Sequence, residues 1–110
     1  MEGFVKGDIV VLPFPFSDLS SSKKRPALVL ANLKGDDIIL CQITSQYVKD
    51  EYALALNNID FVKGSLNRVS NIRSNRLFTA EKSIIIRKVG TIKTDLFEKV
   101  VDKLFDIIKL

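Results

Sequence analysis

Two short polar motifs contain side chains of the kinds that catalytic sites use. Arg25 precedes Pro26 at the start of an apolar run, and the hydroxyl residues Thr44 and Ser45 follow another apolar run. Pro26 has no N–H, restricts its own φ and biases Arg25 toward an extended backbone, so the guanidinium is presented in a defined direction. A guanidinium makes bidentate contacts to phosphate oxygens and keeps its charge. A cation beside hydroxyls suits a phosphate-bearing substrate that brings its own nucleophile.

RNA is a substrate of that kind, because its 2′-hydroxyl can attack the adjacent phosphorus. The protein then has only to orient the strand and to stabilise the crowded, negatively charged phosphorane. The residues also allow a second interpretation, in which Arg25 belongs to a solvated Lys23-Lys24-Arg25 turn and the Thr44-Ser45 hydroxyls only satisfy backbone groups at a strand end. The motifs alone leave both interpretations open.

Several other chemistries are disfavoured by what the sequence lacks. There is no histidine, the only cysteine is Cys41, and the carboxylates show no paired spacing. A zinc site, a Cys–His nucleophile pair and an internal disulfide are therefore not expected, and Cys41 is expected to be a buried core residue. The five glycines are scattered, so no phosphate-binding glycine loop is present. We expect no cofactor and no metal.

The chain of 110 residues, 46% apolar and 27% charged, predicts one globular domain over residues 1–110. The longest apolar run, Ile9–Phe16, is too short to span a bilayer, and a cytoplasmic location without membrane contact is expected. Charge is unevenly distributed: residues 1–60 carry 6 basic and 8 acidic side chains, and residues 61–110 carry 11 and 5. Such a basic segment is typical of a polyanionic partner or of a solvated face.

Apolar runs between turn residues predict a mainly β fold. The expected strands are Ile9–Leu12, Ala27–Ala31, Ile38–Thr44, Tyr52–Leu56 and Ser83–Val89, with Gly90 ending the last one. The Lys34-Gly35-Asp36-Asp37 turn predicts a hairpin, and its antiparallel return would set Thr44 near Arg25.

The last sixteen residues change to a helical period. Their apolar side chains fall on one face, and Thr94 is the expected N-cap. Most of this face is expected to pack on the core, although part of it could serve a dimer. Short strands and one terminal amphipathic helix predict a small SH3-like β-barrel with the helix packed alongside. The apolar face consists of Leu96, Phe97, Val100, Val101, Leu104, Phe105 and Ile108.

Taken in order, these motifs resemble the MazF/PemK family of toxin endoribonucleases over nearly the whole chain. The residues that carry the resemblance are Gly7-Asp8-Ile9-Val10, the Pro15-Phe16 loop, Arg25-Pro26-Ala27-Leu28-Val29-Leu30, Ile43-Thr44-Ser45-Gln46, and Asn71-Ile72-Arg73 with the following strand and helix.

The resemblance implies a fold of the MazF/PemK/CcdB type and a metal-independent, sequence-specific endoribonuclease of a type II toxin–antitoxin pair. It also implies a homodimer that is neutralised by an antitoxin with an acidic segment. The family's catalytic residues map onto Arg25 and Thr44, with Ser45 as the alternative hydroxyl. Cleavage would leave a 2′,3′-cyclic phosphate and a 5′-hydroxyl, and proton transfer would be either substrate-assisted or relayed by water, since arginine does not deprotonate.

RNA contacts outside the centre are expected from the loop after the first strand and from later cations. Phe16 can stack on a base, although a core position is its alternative. The rival hypothesis is a non-catalytic module on the same barrel, which acts by binding protein, as gyrase poisons do, or by binding RNA without cutting it. The candidate RNA-binding residues are Phe16, Ser17, Lys23, Lys24, Gln46, Arg73 and Arg76.

Overall fold

The described part of the chain is an antiparallel β-sheet followed by one α-helix. The computed structural model describes residues 3–14 and 23–109, and in these the strands follow the order β4-β6-β3-β2-β1-β7-β5. This arrangement confirms the predicted class, a small bent β fold with a C-terminal helix. The elements are β1 (Asp8–Phe14), β2 (Lys23–Asn32), β3 (Asp37–Thr44), β4 (Ala53–Leu56), β5 (Phe61–Gly64), β6 (Ser70–Glu81), β7 (Arg87–Ile92) and α1 (Thr94–Ile108).

Strands β2 and β3 form the predicted hairpin. Gly35 in the connecting turn has a φ of 83°, a backbone conformation that glycine adopts without steric cost. The strands pair in a register that sets Ala27 opposite Gln42 and Leu28 opposite Cys41. The hairpin therefore fixes which residues meet where β3 ends.

Both faces of the sheet contribute to a hydrophobic core. On one side Ile9, Leu28 and Ile72 are fully buried, and Leu96 and Val100 of the helix belong to the same buried cluster. On the other side Leu12, Val29 and Leu40 belong to a second buried cluster. Because successive strand residues point to opposite faces, adjacent apolar positions feed both clusters. This explains why the strands are continuous apolar runs rather than alternating ones.

The helix uses only part of its apolar face for the core. Leu96 and Val100 are buried, whereas Val101, Phe105 and Ile108 are exposed. The predicted N-cap is wrong: Lys93 is the N-cap residue, without a side-chain cap, and Thr94 is the first helical residue. Among the described residues, no helix is long and apolar enough to cross a membrane.

The predicted strand Ser83–Val89 is wrong in its bounds. Lys82–Ile84 forms a 3₁₀ turn, and β7 begins at Arg87 and continues through Gly90 to Ile92. Gly90 lies within the strand, at a position where a Cβ would overlap the Phe61 ring and the Lys63 carbonyl oxygen of β5. Glycine is thus required here for close strand packing, not for ending the strand.

Candidate active site

A cleft of about 360 Å³ opens where β2 begins and β3 ends; we call it the first cleft. One wall is formed by the two strands and the other by the segment of residues 66–70 that leads from β5 into β6. Arginine side chains lie on both walls. The strand wall consists of Lys24, Arg25, Pro26, Ile43, Thr44 and Ser45, and the opposite wall of Leu66, Asn67, Arg68 and Ser70.

Arg25 and Thr44 both line this cleft, just beyond the end of the β2–β3 pairing. Ala27 opposite Gln42 is the last pair on that side, and Arg25 and Thr44 each lie two residues beyond it. Both side chains are half-buried, and Ser45, the next residue, is exposed. Arg25 has no ion pair among the described residues, so its charge faces the cleft without a protein carboxylate beside it.

The Thr44 hydroxyl is held by the turn that follows it. Its oxygen accepts a hydrogen bond from the Gln46 N–H at 3.1 Å, and a hydroxyl that accepts one hydrogen bond can still donate its own proton. The Gln46 carbonyl oxygen in turn accepts from the Asn71 amide at 3.3 Å, and Asn71 pairs with Thr44 across β3 and β6. Asn71 therefore anchors the turn that positions the hydroxyl.

The wall formed by residues 66–70 was not identified from the sequence. Ser70 is buried, and its hydroxyl donates to the Arg68 carbonyl oxygen at 3.0 Å, which fixes the entry into β6. In the sequence Arg68 differs from its neighbours only as one cation of the basic segment, and nothing in the local pattern of Asn67 or Ser70 distinguishes them from ordinary loop residues. The positive charge of Arg68 is the one feature of the sequence that points to this side of the cleft.

The other predicted RNA-binding residues are dispersed. Lys24 lines the first cleft. Lys23 and Gln46 are exposed and are next in sequence to the lining residues Lys24 and Ser45. Arg73 instead pairs with Asp50, with 3.1 Å between its guanidinium nitrogen and the carboxylate oxygen, and Arg76 lines a small separate depression beside Gln42 and Phe78. Phe16 and Ser17 lie outside the described residues.

A larger depression of about 570 Å³ adjoins the first cleft; we call it the second cleft. The two share part of their lining. The second cleft extends across β1 and β7, where Arg87 and Lys88 contribute cations. The shared residues are Lys24, Pro26, Leu66 and Asn67.

Lys88 forms an ion pair with a buried carboxylate. Its ammonium nitrogen lies 3.8 Å from an Asp8 oxygen, and Asp8 is almost completely inaccessible to solvent. Asp8 also accepts hydrogen bonds from the Val5 N–H at 2.9 Å and from the Thr91 hydroxyl at 3.0 Å. Cys41 provides no nucleophile to either cleft, because burial raises the pKa of its thiol to about 12.

Comparisons with known proteins agree with this architecture. Residues 5–108 match the family described as PemK-like, MazF-like toxin of type II toxin-antitoxin system. No curated protein matches the sequence. Among solved structures, an endoribonuclease from a mycobacterial species superposes with a TM-score of 0.75 at 15% identity, covering 100% of this chain and 95% of the other.

Two further structures are toxin–antitoxin complexes. One is an endoribonuclease with its cognate antitoxin from a mycobacterial species, with a TM-score of 0.76, 12% identity and coverage of 98% and 97%. The other is MazE–MazF from Deinococcus radiodurans, with a TM-score of 0.75, 18% identity and coverage of 96% of both chains. At these identities the likeness establishes the fold.

Proposed function

This chain belongs to the PemK-like, MazF-like toxin family of type II toxin–antitoxin systems, and we propose that it is an endoribonuclease whose active centre is the first cleft. The observation that carries the proposal is that Arg25 and Thr44 line the same cleft. No carboxylate lines that cleft among the described residues. A polyanion therefore meets a cation and a hydroxyl there, without a carboxylate among the described lining residues to repel it.

The proposed reaction uses the nucleophile that RNA carries. The 2′-oxygen attacks the adjacent phosphorus and loses its proton, an O–P bond forms, and the bond from phosphorus to the 5′-oxygen breaks. The leaving oxygen takes up a proton, which gives a 2′,3′-cyclic phosphate and a 5′-hydroxyl. The step consumes no water and needs no redox partner.

Arg25 would bind the non-bridging oxygens and stabilise the charge that grows on them in the phosphorane. Thr44 would donate its proton to the same group of oxygens, and the hydrogen bond from the Gln46 N–H to its oxygen would hold the hydroxyl in place. This bond is also the reason to prefer Thr44 over the exposed Ser45 as the reacting hydroxyl. Arg68 on the facing wall would add a second cation on the other side of the phosphate.

The proposed partners are single-stranded RNA, a cognate antitoxin with an acidic segment, and a second copy of the chain, all in the cytoplasm. Two of the structures with this fold contain an antitoxin. An acidic segment complements the excess of basic residues after residue 60. Burial of the exposed Phe105 and Ile108 side chains would favour association with another protein surface.

The decisive experiment incubates the purified protein with a long single-stranded RNA in EDTA. The wild-type protein is expected to cut at a few sites, and the new 5′ ends should be phosphorylated by a polynucleotide kinase without prior phosphatase treatment. Arg25→Ala and Thr44→Ala should keep the wild-type circular dichroism spectrum and lose ~10²–10³ in rate. Matched controls are Lys99→Ala on the exposed face of α1 and Thr79→Ala on β6.

The outcome also tests the rival hypothesis. A wild-type protein that leaves RNA of broad sequence uncut in this assay would refute the nuclease and favour a non-catalytic binding module. Equal cleavage by Thr44→Ala and wild type, with loss in Ser45→Ala, would instead transfer the hydroxyl's role to Ser45.

A further inference from the structure

The second cleft is continuous with the first, and the proposed reaction assigns no role to it. The two depressions meet at Pro26 on one side and at Leu66 and Asn67 on the other. A strand whose phosphate lay between Arg25 and Thr44 would therefore have one of its two ends directed into the second cleft. Its volume of about 570 Å³ lies within the range of ligand-binding pockets.

The lining of the second cleft suits a nucleotide. Val11 and Pro26, which pair across β1 and β2, form an apolar floor against which a base or ribose can pack. Ser65 and Asn67 supply a hydroxyl and an amide, which can hydrogen-bond to base edges. No carboxylate appears in the lining among the described residues.

Two exposed cations, Arg87 and Lys88, line the second cleft. Arg87 pairs with Val11 in the β1–β7 register and lies at the start of β7, and its guanidinium has no ion pair among the described residues. Lys88 forms an ion pair with the buried Asp8 carboxylate. A backbone phosphate that enters this cleft would meet one unpaired arginine and one lysine.

We propose that the second cleft binds the nucleotide next to the cleaved bond, with Arg87 as the ligand of the flanking phosphate. The inference rests on the proposed function for the position of the scissile bond, and it extends the RNA track to a second subsite. RNA is favoured over an acidic peptide because the cleft is continuous with the first one and combines an apolar floor with neutral hydrogen-bonding groups.

The test measures binding separately from cleavage. The probe is a fluorescein-labelled pool of random 20-nucleotide RNA with 2′-fluoro sugars, which lacks the 2′-hydroxyl nucleophile. Anisotropy titrations between 50 and 200 mM KCl give the affinity and its salt dependence for the wild type and for Arg87→Ala. Loss of one phosphate contact should reduce the slope of log affinity against log salt by about 0.7, which corresponds to about fivefold weaker binding at 0.1 M salt.

The matched control is Lys34→Ala, which removes an exposed cation in the turn beyond the opposite end of β2. This variant should bind as the wild type does. Equal affinity and slope for Arg87→Ala and wild type would overturn the proposal. It would also be overturned if Arg87→Ala weakened the binding of poly-L-glutamate but not of RNA, because the cleft would then be a site for acidic peptides.

Failure of the proposed function would look different. If the wild type binds the 2′-fluoro pool in an Arg87-dependent manner but never cuts ordinary RNA, the binding subsite stands and the nuclease does not. If the wild type does cut RNA, Arg87→Ala should raise KM about fivefold and leave kcat unchanged, since a flanking phosphate contact acts on ground state and transition state alike.

Discussion

Gly64 and Val89 approach so closely that a Cβ atom at residue 64 would overlap the Val89 carbonyl oxygen. Gly64 also has a φ of 76°, so a side chain there is strained as well as obstructed. We expect Gly64→Ala to lower the free energy of unfolding by at least about 2 kcal/mol, measured by urea denaturation. Gly35→Ala is the control, because Gly35 has a positive φ but open space around it. Equal losses in the two variants would show that close strand packing contributes nothing.

The β2–β3 hairpin and the terminal helix could be predicted because their signals are local. The turn at Lys34–Asp37 defines the hairpin, and the helical period of the last sixteen residues defines α1. Strand β6 (Ser70–Glu81) was not predicted, because its polar residues follow no clean period. That strand is held by pairing with β3 and β4 on its two sides, which no local pattern reports.

The same distinction applies to the site. Arg25 and Thr44 could be placed together because both lie on one hairpin. Arg68 and Asn67 reach the first cleft only because β5 packs on β7 through glycines and returns the chain over the sheet. Long-range packing of this kind determines the facing wall of the first cleft and the whole second cleft, so neither could be derived from the sequence.

The buried Asp8 carboxylate gives a second stability prediction. Asp8→Asn keeps the side-chain volume but removes the charge that accepts hydrogen bonds from the Val5 N–H and the Thr91 hydroxyl and that pairs with the Lys88 ammonium group. The expected loss is about 1–3 kcal/mol in urea denaturation. Asp36→Asn, at an exposed turn, is the control and should stay within about 0.5 kcal/mol of the wild type. A loss no larger than that of the control would mean that the buried charge is not needed.

The Arg73–Asp50 pair predicts a structural contribution for Arg73. Both side chains are less than a third exposed, and Asp50 also accepts from the Tyr52 N–H at 3.0 Å. Arg73→Ala and Asp50→Ala should each cost about 1 kcal/mol of stability, and the double variant should cost less than their sum. If Arg73 binds RNA instead, Arg73→Ala will weaken RNA binding and Asp50→Ala, which frees the guanidinium, will strengthen it.

The Cys41 thiol is predicted to be inert in the folded protein. Burial raises its pKa from an ordinary 9.0 to about 12, so no reaction with a thiol reagent is expected at pH 8 until urea unfolds the chain. As pH rises from about 9 toward 12, the thiol loses its proton in the unfolded state but keeps it in the folded state, so the free energy of unfolding falls. From pH 8 to pH 10 the wild type should lose about 1.4 kcal/mol more than Cys41→Ala. Parallel pH profiles of the two proteins would contradict this.

Arg25→Lys separates charge from geometry at the proposed centre. The substitution keeps a cation in the first cleft but replaces the planar fork, which can contact two phosphate oxygens at once, with a single strongly hydrated ammonium group. If only the charge matters, Arg25→Lys will cut RNA nearly as fast as the wild type. We expect instead a rate between those of the wild type and Arg25→Ala, within the ~10²–10³ span of a lost oxyanion donor. Lys24→Arg is the matched control. It adds a guanidinium at the preceding position. The double variant Lys24→Arg/Arg25→Ala should cut no faster than Arg25→Ala, because Pro26 restricts the backbone of residue 25 and not that of residue 24.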